Sequence, residues 1–270
     1  MNNKILFVDL DATLLCDDKS VSKRNREAIR QMLAEGHYIA LATGRPVESG
    51  RIVARELGLT LPGCYMVAFN GAVLYDCSAD RVLLKRSIPI DVVQELFERA
   101  KKAGIYVQTY TNTDIITMKH TRELDYYREK SKLSYKLSDN VLDLLEEEPQ
   151  KVLMIALEHG ERLIKFRKEN LRWEQGKCNS FFSCTEYLEY CPLDTSKGTG
   201  VEYLTQILNM PIDATVAVGD EQNDIAMLKA AHIGVAMKNG IQELKDIADY
   251  VTENDNNHDA IAEVIEKFIL

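Results

Sequence analysis

No apolar run in this 270-residue sequence is long enough and uncharged enough to suggest a membrane span. The first run, Ile5–Val8, is broken by Asp9 and Asp11 before it could form the apolar core of a signal peptide, so a cytoplasmic protein is expected. Six cysteines are scattered without a Cys-x-x-Cys pair, which argues against a zinc site and a disulfide framework and leaves them as small core residues. Positive charge is also scarce. With 33 Lys and Arg against 42 Asp and Glu, the formal charge is −9, and no basic stretch offers a nucleic-acid surface. There is no Gly-x-x-x-x-Gly-Lys-Ser/Thr loop, and Lys197-Gly198-Thr199-Gly200 lacks the spacing of a dinucleotide fingerprint. An EF-hand fails as well: counting from Asp9, Leu14 stands where Gly is needed and Ser20 where Glu is needed. No internal repeat or low-complexity segment occurs, and Glu146-Glu147-Glu148-Pro149 reads as a solvated loop.

What remains is an ordinary globular composition, 46% apolar and 28% charged, in a chain long enough for one large or two modest domains. Short apolar strands alternate with helices in both outer parts. Ile5–Asp9, Tyr38–Ala42 and Tyr65–Phe69 read as strands, with helices near Lys23–Glu35 (Ser22 as N-cap) and from Pro46 to about Leu57. Asn70-Gly71 turns the third strand into Ala72–Tyr75. From Lys197 the pattern resumes with helix Gly198–Leu208, strand Thr215–Val218, helix Asp224–Ala231, strand Gly234–Ala236, helix Ile241–Ile247, Tyr250–Val251 and helix Ala260–Phe268. Such alternation predicts βαβ units and an α/β fold with a Rossmann-like, doubly wound parallel sheet. Between Leu84 and Glu189 the pattern changes to helix Val92–Ala103, a hairpin of Tyr106–Thr111 and Ile115–Lys119, then strand, helix and strand at Lys151–Leu157, Arg162–Asn170 and Cys178–Thr185. The expected organisation is therefore a core of residues 1–84 and 190–270 with an α/β domain, residues 85–189, inserted into it. Most of Tyr106, Tyr110, Tyr126 and Tyr127 in the insert are expected to pack its core.

Two strands end abruptly in carboxylates: Ile5-Leu6-Phe7-Val8-Asp9-Leu10-Asp11-Ala12-Thr13 and Val216-Ala217-Val218-Gly219-Asp220-Glu221-Gln222-Asn223-Asp224. Parallel strands open at their C-terminal ends into a ligand crevice, so four carboxylates are expected to converge there. Hard oxygen donors suit Mg²⁺, which is commonly held by one or two carboxylates and the oxygens of a phosphate. Asp9 can then attack phosphorus, forming an aspartyl-phosphate, while Asp11 protonates the leaving alcohol and later activates water. Mg²⁺ on Asp9 and Asp220 would offset the repulsion between the two anions. Thr43, the amides near Gly44 and the Lys197 ammonium are the candidates to stabilise the non-bridging oxygens. Lys197 stands at a helix start, where a cation opposes the helix dipole, and that misplacement favours a functional role.

Asp9-Leu10-Asp11-Ala12-Thr13-Leu14-Leu15, Ala42-Thr43-Gly44-Arg45-Pro46, Asn70-Gly71-Ala72, Ser196-Lys197-Gly198 and Gly219-Asp220-Glu221-Gln222-Asn223-Asp224 together resemble the haloacid dehalogenase superfamily, specifically its Cof-type phosphatases. The resemblance implies Asp9 as nucleophile, Asp11 as acid/base and Thr43 and Lys197 as phosphate ligands. It places Leu10, Gly44 and Asn223 beside the phosphate, and Asp9, Asp220, Asp224 and the Asp11 backbone carbonyl on Mg²⁺. It also implies that the insert is a class IIB cap that selects a small phosphorylated metabolite, sugar phosphates foremost. No motif selects one substrate or names a partner chain. A phosphomutase or phosphotransferase using the same aspartyl-phosphate, and a non-catalytic phosphometabolite sensor, are the competing functions. Two departures stand out. Ala12 replaces the family's usual Gly, harmless if its φ is negative and costing on the order of 1 kcal/mol if positive. Asp259-Ala260-Ile261 replaces Asp-Gly-Val, where a local change at a helix start is expected.

Overall fold

The computed structural model describes residues 3–270. Along the chain run β1 (Ile5–Asp9), α1 (Lys23–Ala34), β2 (Tyr38–Ala42), α2 (Val47–Leu57), β3 (Cys64–Ala68), β4 (Val73–Asp76) and β5 (Arg81–Lys85). There follow α3 (Ile90–Ala103), β6 (Tyr106–Tyr110), β7 (Asp114–Thr117), α4 (Arg122–Ser131), β8 (Ser134–Leu137), β9 (Val152–Ile155), α5 (Gly160–Glu174), β10 (Asn179–Cys184) and β11 (Tyr187–Cys191). The last stretch holds α6 (Lys197–Ile207), β12 (Thr215–Gly219), α7 (Ile225–Ala230), β13 (Ile233–Ala236), α8 (Gln242–Lys245), β14 (Tyr250–Val251) and α9 (Ala260–Phe268). The chain divides into two compact units. One comprises the residues up to Gly44, Gly50–Leu84 and Ser196–Leu270; the other comprises Arg45–Ser49 and Lys85–Thr195.

The first unit is built on an eight-stranded sheet in the order β14-β13-β12-β1-β2-β3-β4-β5, parallel from β14 through β3. The β3–β4 pair is antiparallel, as the Asn70-Gly71 turn requires. Every residue of β1 and β12 is buried, which is why each reads as a continuous apolar run without alternation. Helix α1 starts where expected, its Ser22 side chain accepting from the Asn25 N–H.

The second unit has its own six-stranded sheet, β10-β11-β9-β6-β7-β8, antiparallel except for β7–β8. Val93, Leu96, Met154, Leu163, Phe166 and Leu188 are among the buried residues of its separate core. It also contains a buried ion pair, Lys151 Nζ to Glu189 at 3.2 Å, with Ser183 donating to Glu189 (2.6 Å) and Gln108 donating to Tyr110 (2.7 Å). Tyr110 and Tyr127 are buried there with ring centroids 6.0 Å apart, in keeping with their expected use in packing. Four elements have no counterpart in the sequence reading: β5, α4, β8 and β11. No helix among the described residues is long and apolar enough to cross a membrane.

Candidate active site

Three strand ends meet at the middle of the first unit's sheet. The register pairs Val8 with Val218 on one side of β1 and Asp9 with Ala42 on the other, so the chain leaves β1, β12 and β2 side by side at Asp9, Asp220 and Thr43. Because β1 lies between the strand that follows it and one from the far end of the chain, this is where the winding reverses and a crevice opens.

Each segment is then shaped by its own local bonds. After β1 the chain curls back, with Leu14 N–H on Asp9 O (3.1 Å) and Leu15 N–H on Leu10 O (2.8 Å). Within that curl Ala12 has φ +59°, the strained alternative of the two considered above, and its carbonyl accepts from Asn239 (2.8 Å). After β12, the Asp224 carboxylate accepts from the N–H groups of both Asp220 and Glu221, each at 3.0 Å. Residue 219 must be glycine, since a Cβ there would lie 2.4 Å from Asp224 Cγ. At the start of α6, Ser196 and Thr199 form a reciprocal capping box that holds Lys197 as the first helical residue.

These devices gather Asp9, Asp220 and Asp224, whose carboxylate oxygens come within 4.8 Å of one another, all buried. Lys197 Nζ bridges Asp9 and Asp224, the latter at 2.6 Å, and is almost fully buried. Thr13 Oγ1 donates to Asp220 at 2.6 Å. Burial pushes the Asp9 carboxyl up from its ordinary value, with Lys197 pulling against it. Asp220 is likewise raised by burial and by the charges of Asp9 and Asp224. Burial also disfavours the Lys197 ammonium, yet Asp224 and Asp9 outweigh it and raise Lys197 above the usual lysine value. With all three carboxylates ionised, one ammonium leaves a surplus of two negative charges, and an all-oxygen donor set with that surplus fits a hard divalent cation.

The expected convergence of four carboxylates is corrected to three. The Asp11 side chain is 46% exposed and pairs with Lys19 at 3.0 Å; β1 ends at Asp9, so Asp11 is placed by the curl through Ala12 and not by the strand. It stays near enough for its charge to raise Asp9. Leu10 is fully buried, so its backbone N–H is what it can offer an anion. Thr43 is buried at the end of β2, its N–H on Val67 O (2.8 Å), and Gly44 follows it. Asn223 Nδ2 donates to Asn70 Oδ1 at 3.1 Å. The bond from Thr13 to Asp220, the Lys19 partner of Asp11 and the Asn239 prop under Ala12 went unread in the sequence, although Thr13 lies in the first motif. At the other departure, Asp259 takes φ +65° and caps α9 through backbone alone, while Ser22 donates to its carboxylate.

A family model described as haloacid dehalogenase-like hydrolase matches residues 6–265. A Bacillus subtilis 5-amino-6-(5-phospho-D-ribitylamino)uracil phosphatase is 28% identical over 266 residues, covering 98% of this chain and 97% of its own. Phosphatase YwpJ of the same organism is 29% identical, covering 94% and 96%. The crystal structure of a haloacid dehalogenase-like hydrolase from Bacteroides thetaiotaomicron superposes with a TM-score of 0.90 at 29% identity, over 98% of this chain and 99% of that one.

Proposed function

The chain belongs to the haloacid dehalogenase-like hydrolases and is a phosphatase of their Cof type, and on that premise we propose that it is a cytoplasmic, Mg²⁺-dependent hydrolase of small phosphorylated metabolites, sugar phosphates foremost. The observation that carries this reading is Lys197 bridging Asp9 and Asp224 beside Asp220.

Asp9 attacks phosphorus and accepts the phosphoryl group as an aspartyl-phosphate, splitting one difficult hydrolysis into two steps. Asp11 delivers a proton to the leaving oxygen, and in the second step takes one from the attacking water. Its exposed position next to Lys19 supports this role, since an acid/base must exchange protons with solvent between turnovers. Lys197, the Thr43 hydroxyl, the N–H groups at Leu10 and Gly44 and the Asn223 amide surround the non-bridging oxygens with donors, a form of stabilisation that needs no reorganisation as charge develops. Asp9, Asp220 and Asp224 through their side chains, and Asp11 through its carbonyl, would hold Mg²⁺, which when bound offsets the charge of the phosphate and orients it. The second unit, Lys85–Thr195 with Arg45–Ser49, acts as the specificity cap, leaving the phosphoryl chemistry to the core.

The test is phosphate release from sugar phosphates, nucleotides, cofactor phosphates and 5-amino-6-(5-phospho-D-ribitylamino)uracil, the compound for which one relative is named. Release with Mg²⁺, none after EDTA and little with Ca²⁺ is expected, since calcium takes more ligands at longer distance. Full activity after EDTA treatment contradicts the metal assignment. Phosphate appearing only when a sugar acceptor is added points to transfer, and tight binding without release points to a sensor.

A further inference from the structure

We propose that Asn70 is a positioning residue of the phosphate site, holding Asn223 and the Thr43–Gly44 loop in register with Lys197; this rests on the reading of that site given above. The motivation is a strained turn. Phe69, Asn70 and Gly71 have φ of +49°, +53° and +98°, three successive residues in the left-handed region. For a bulky aromatic such as Phe69 that is an outlier, and such strain persists only where the surroundings enforce it.

The turn is tied to its surroundings at several points. The Asn70 N–H donates to Thr43 O at 3.0 Å, tying the end of β3 to the loop after β2. Its side-chain oxygen accepts from Asn223 Nδ2 at 3.1 Å, reaching the loop after β12. A Cβ on Gly44 would lie 3.1 Å from Asn70 Nδ2, so the amide also sits close against the backbone at Gly44. Gly71 is pressed against the start of α6, where a Cβ would lie 2.0 Å from Ser196 O, one residue before Lys197. One buried turn thus touches the three chain segments that carry Thr43, Asn223 and Lys197. Extended backbone at 69–71 would alternate side chains across the sheet and could not serve all three. Asparagine suits the position because its short polar side chain tolerates the left-handed region better than other non-glycine residues.

Asn70→Gly isolates the side chain, because glycine takes the left-handed conformation without steric cost. We expect kcat/KM to fall roughly tenfold, about the worth of one neutral hydrogen bond, with competitive inhibition by inorganic phosphate weakened to match and Tm close to the parent. In an Asn223→Ala background the same change should cause a smaller loss, since part of what the Asn70 side chain does runs through Asn223 and the rest through the backbone at Gly44. Parent-like phosphate inhibition in Asn70→Gly, or a loss that adds in full to that of Asn223→Ala, overturns the proposal. If Asn70→Gly does not fold, Asn70→Asp keeps the volume and the acceptor but sets a carboxylate beside the bound anion. Phosphate inhibition must then weaken, and unchanged inhibition overturns the proposal. Asp9→Asn measured alongside separates the two levels. Its full activity would remove the phosphate-site reading itself, whereas an inactive Asp9→Asn with a parent-like Asn70→Gly removes the role of Asn70 alone.

Discussion

The two units each bury a lysine against carboxylates, and they balance the charge differently. In the second unit Lys151 meets Glu189, one charge against one, and Ser183 also donates to the carboxylate. Burial disfavours the Lys151 ammonium, but Glu189 outweighs it and raises the lysine above its usual value. In the first unit Lys197 meets Asp9 and Asp224 with Asp220 alongside, and the surplus is negative. A balanced buried pair is complete as folded, whereas a surplus cluster costs stability until a cation joins it.

The sharpest break between them is functional. Asp9→Asn should reduce phosphate release to background and Asp11→Asn should lower it ~10²–10⁴-fold by removing proton transfer, while Glu189→Gln leaves the chemistry on Asp9 in place. Steady-state phosphate release with p-nitrophenyl phosphate, a substrate with little for a cap to recognise, makes the comparison. Wild-type turnover in Asp9→Asn would end the mechanism.

Stability should separate the two clusters by sign. Glu189→Gln removes the carboxylate charge that faces the buried Lys151 ammonium and should cost about 3–5 kcal/mol in urea unfolding. Asp220→Asn keeps an oxygen for the Thr13 hydroxyl but removes one surplus charge, so the metal-free protein should become more stable and gain less from added Mg²⁺. Shifts of the same sign in both variants would erase the distinction.

A smaller effect belongs to the loop that carries Asp11. Ala12→Gly relieves a left-handed alanine and should stabilise by about 1 kcal/mol, read as a rise in Tm. An unchanged or lower Tm would mean that the Asn239 prop already compensates. The smallest effect lies outside both clusters, at buried His37, whose Nδ1 accepts the Lys4 N–H at 3.0 Å. Burial, then the Lys4 charge, lowers His37 from its ordinary 6.5. The unfolded chain therefore binds this proton first as pH falls, so the contribution is full above pH 6.5 and is lost progressively below it. His37→Gln should flatten the urea midpoint over that window, and an unaltered slope would exclude His37 as its source.

Much of this was legible because the site sits where strands stop. Buried parallel strands leave apolar runs in the sequence, and the switch to Asp after Val8 and to Gly-Asp after Val218 marks their ends. What stayed hidden has physical causes of its own. Strand β8 is mostly exposed and α4 is strongly polar, so neither carries the periodic apolar signal by which elements are read. Backbone sign is another. Nothing local to Phe69 announces a positive φ in a turn tied to loops as far as 153 residues away, and Ala12 could be posed only as a conditional. The Lys19 partner of Asp11 arises from how the loop closes, a geometry with no spacing rule.

The central position of β1 also bears on how the protein is made. Its neighbour β2 follows within the first 42 residues, but on its other side Ile5 pairs with Thr215, about 210 residues later. At ribosomal speeds of ~5–20 residues per second, that edge of Ile5-Leu6-Phe7-Val8 waits roughly 10–40 s for its partner, an apolar strand with open backbone groups on a nascent chain. The strand that delivers Asp9 is therefore also one by which an unfinished copy of this protein is open to pairing with the wrong partner.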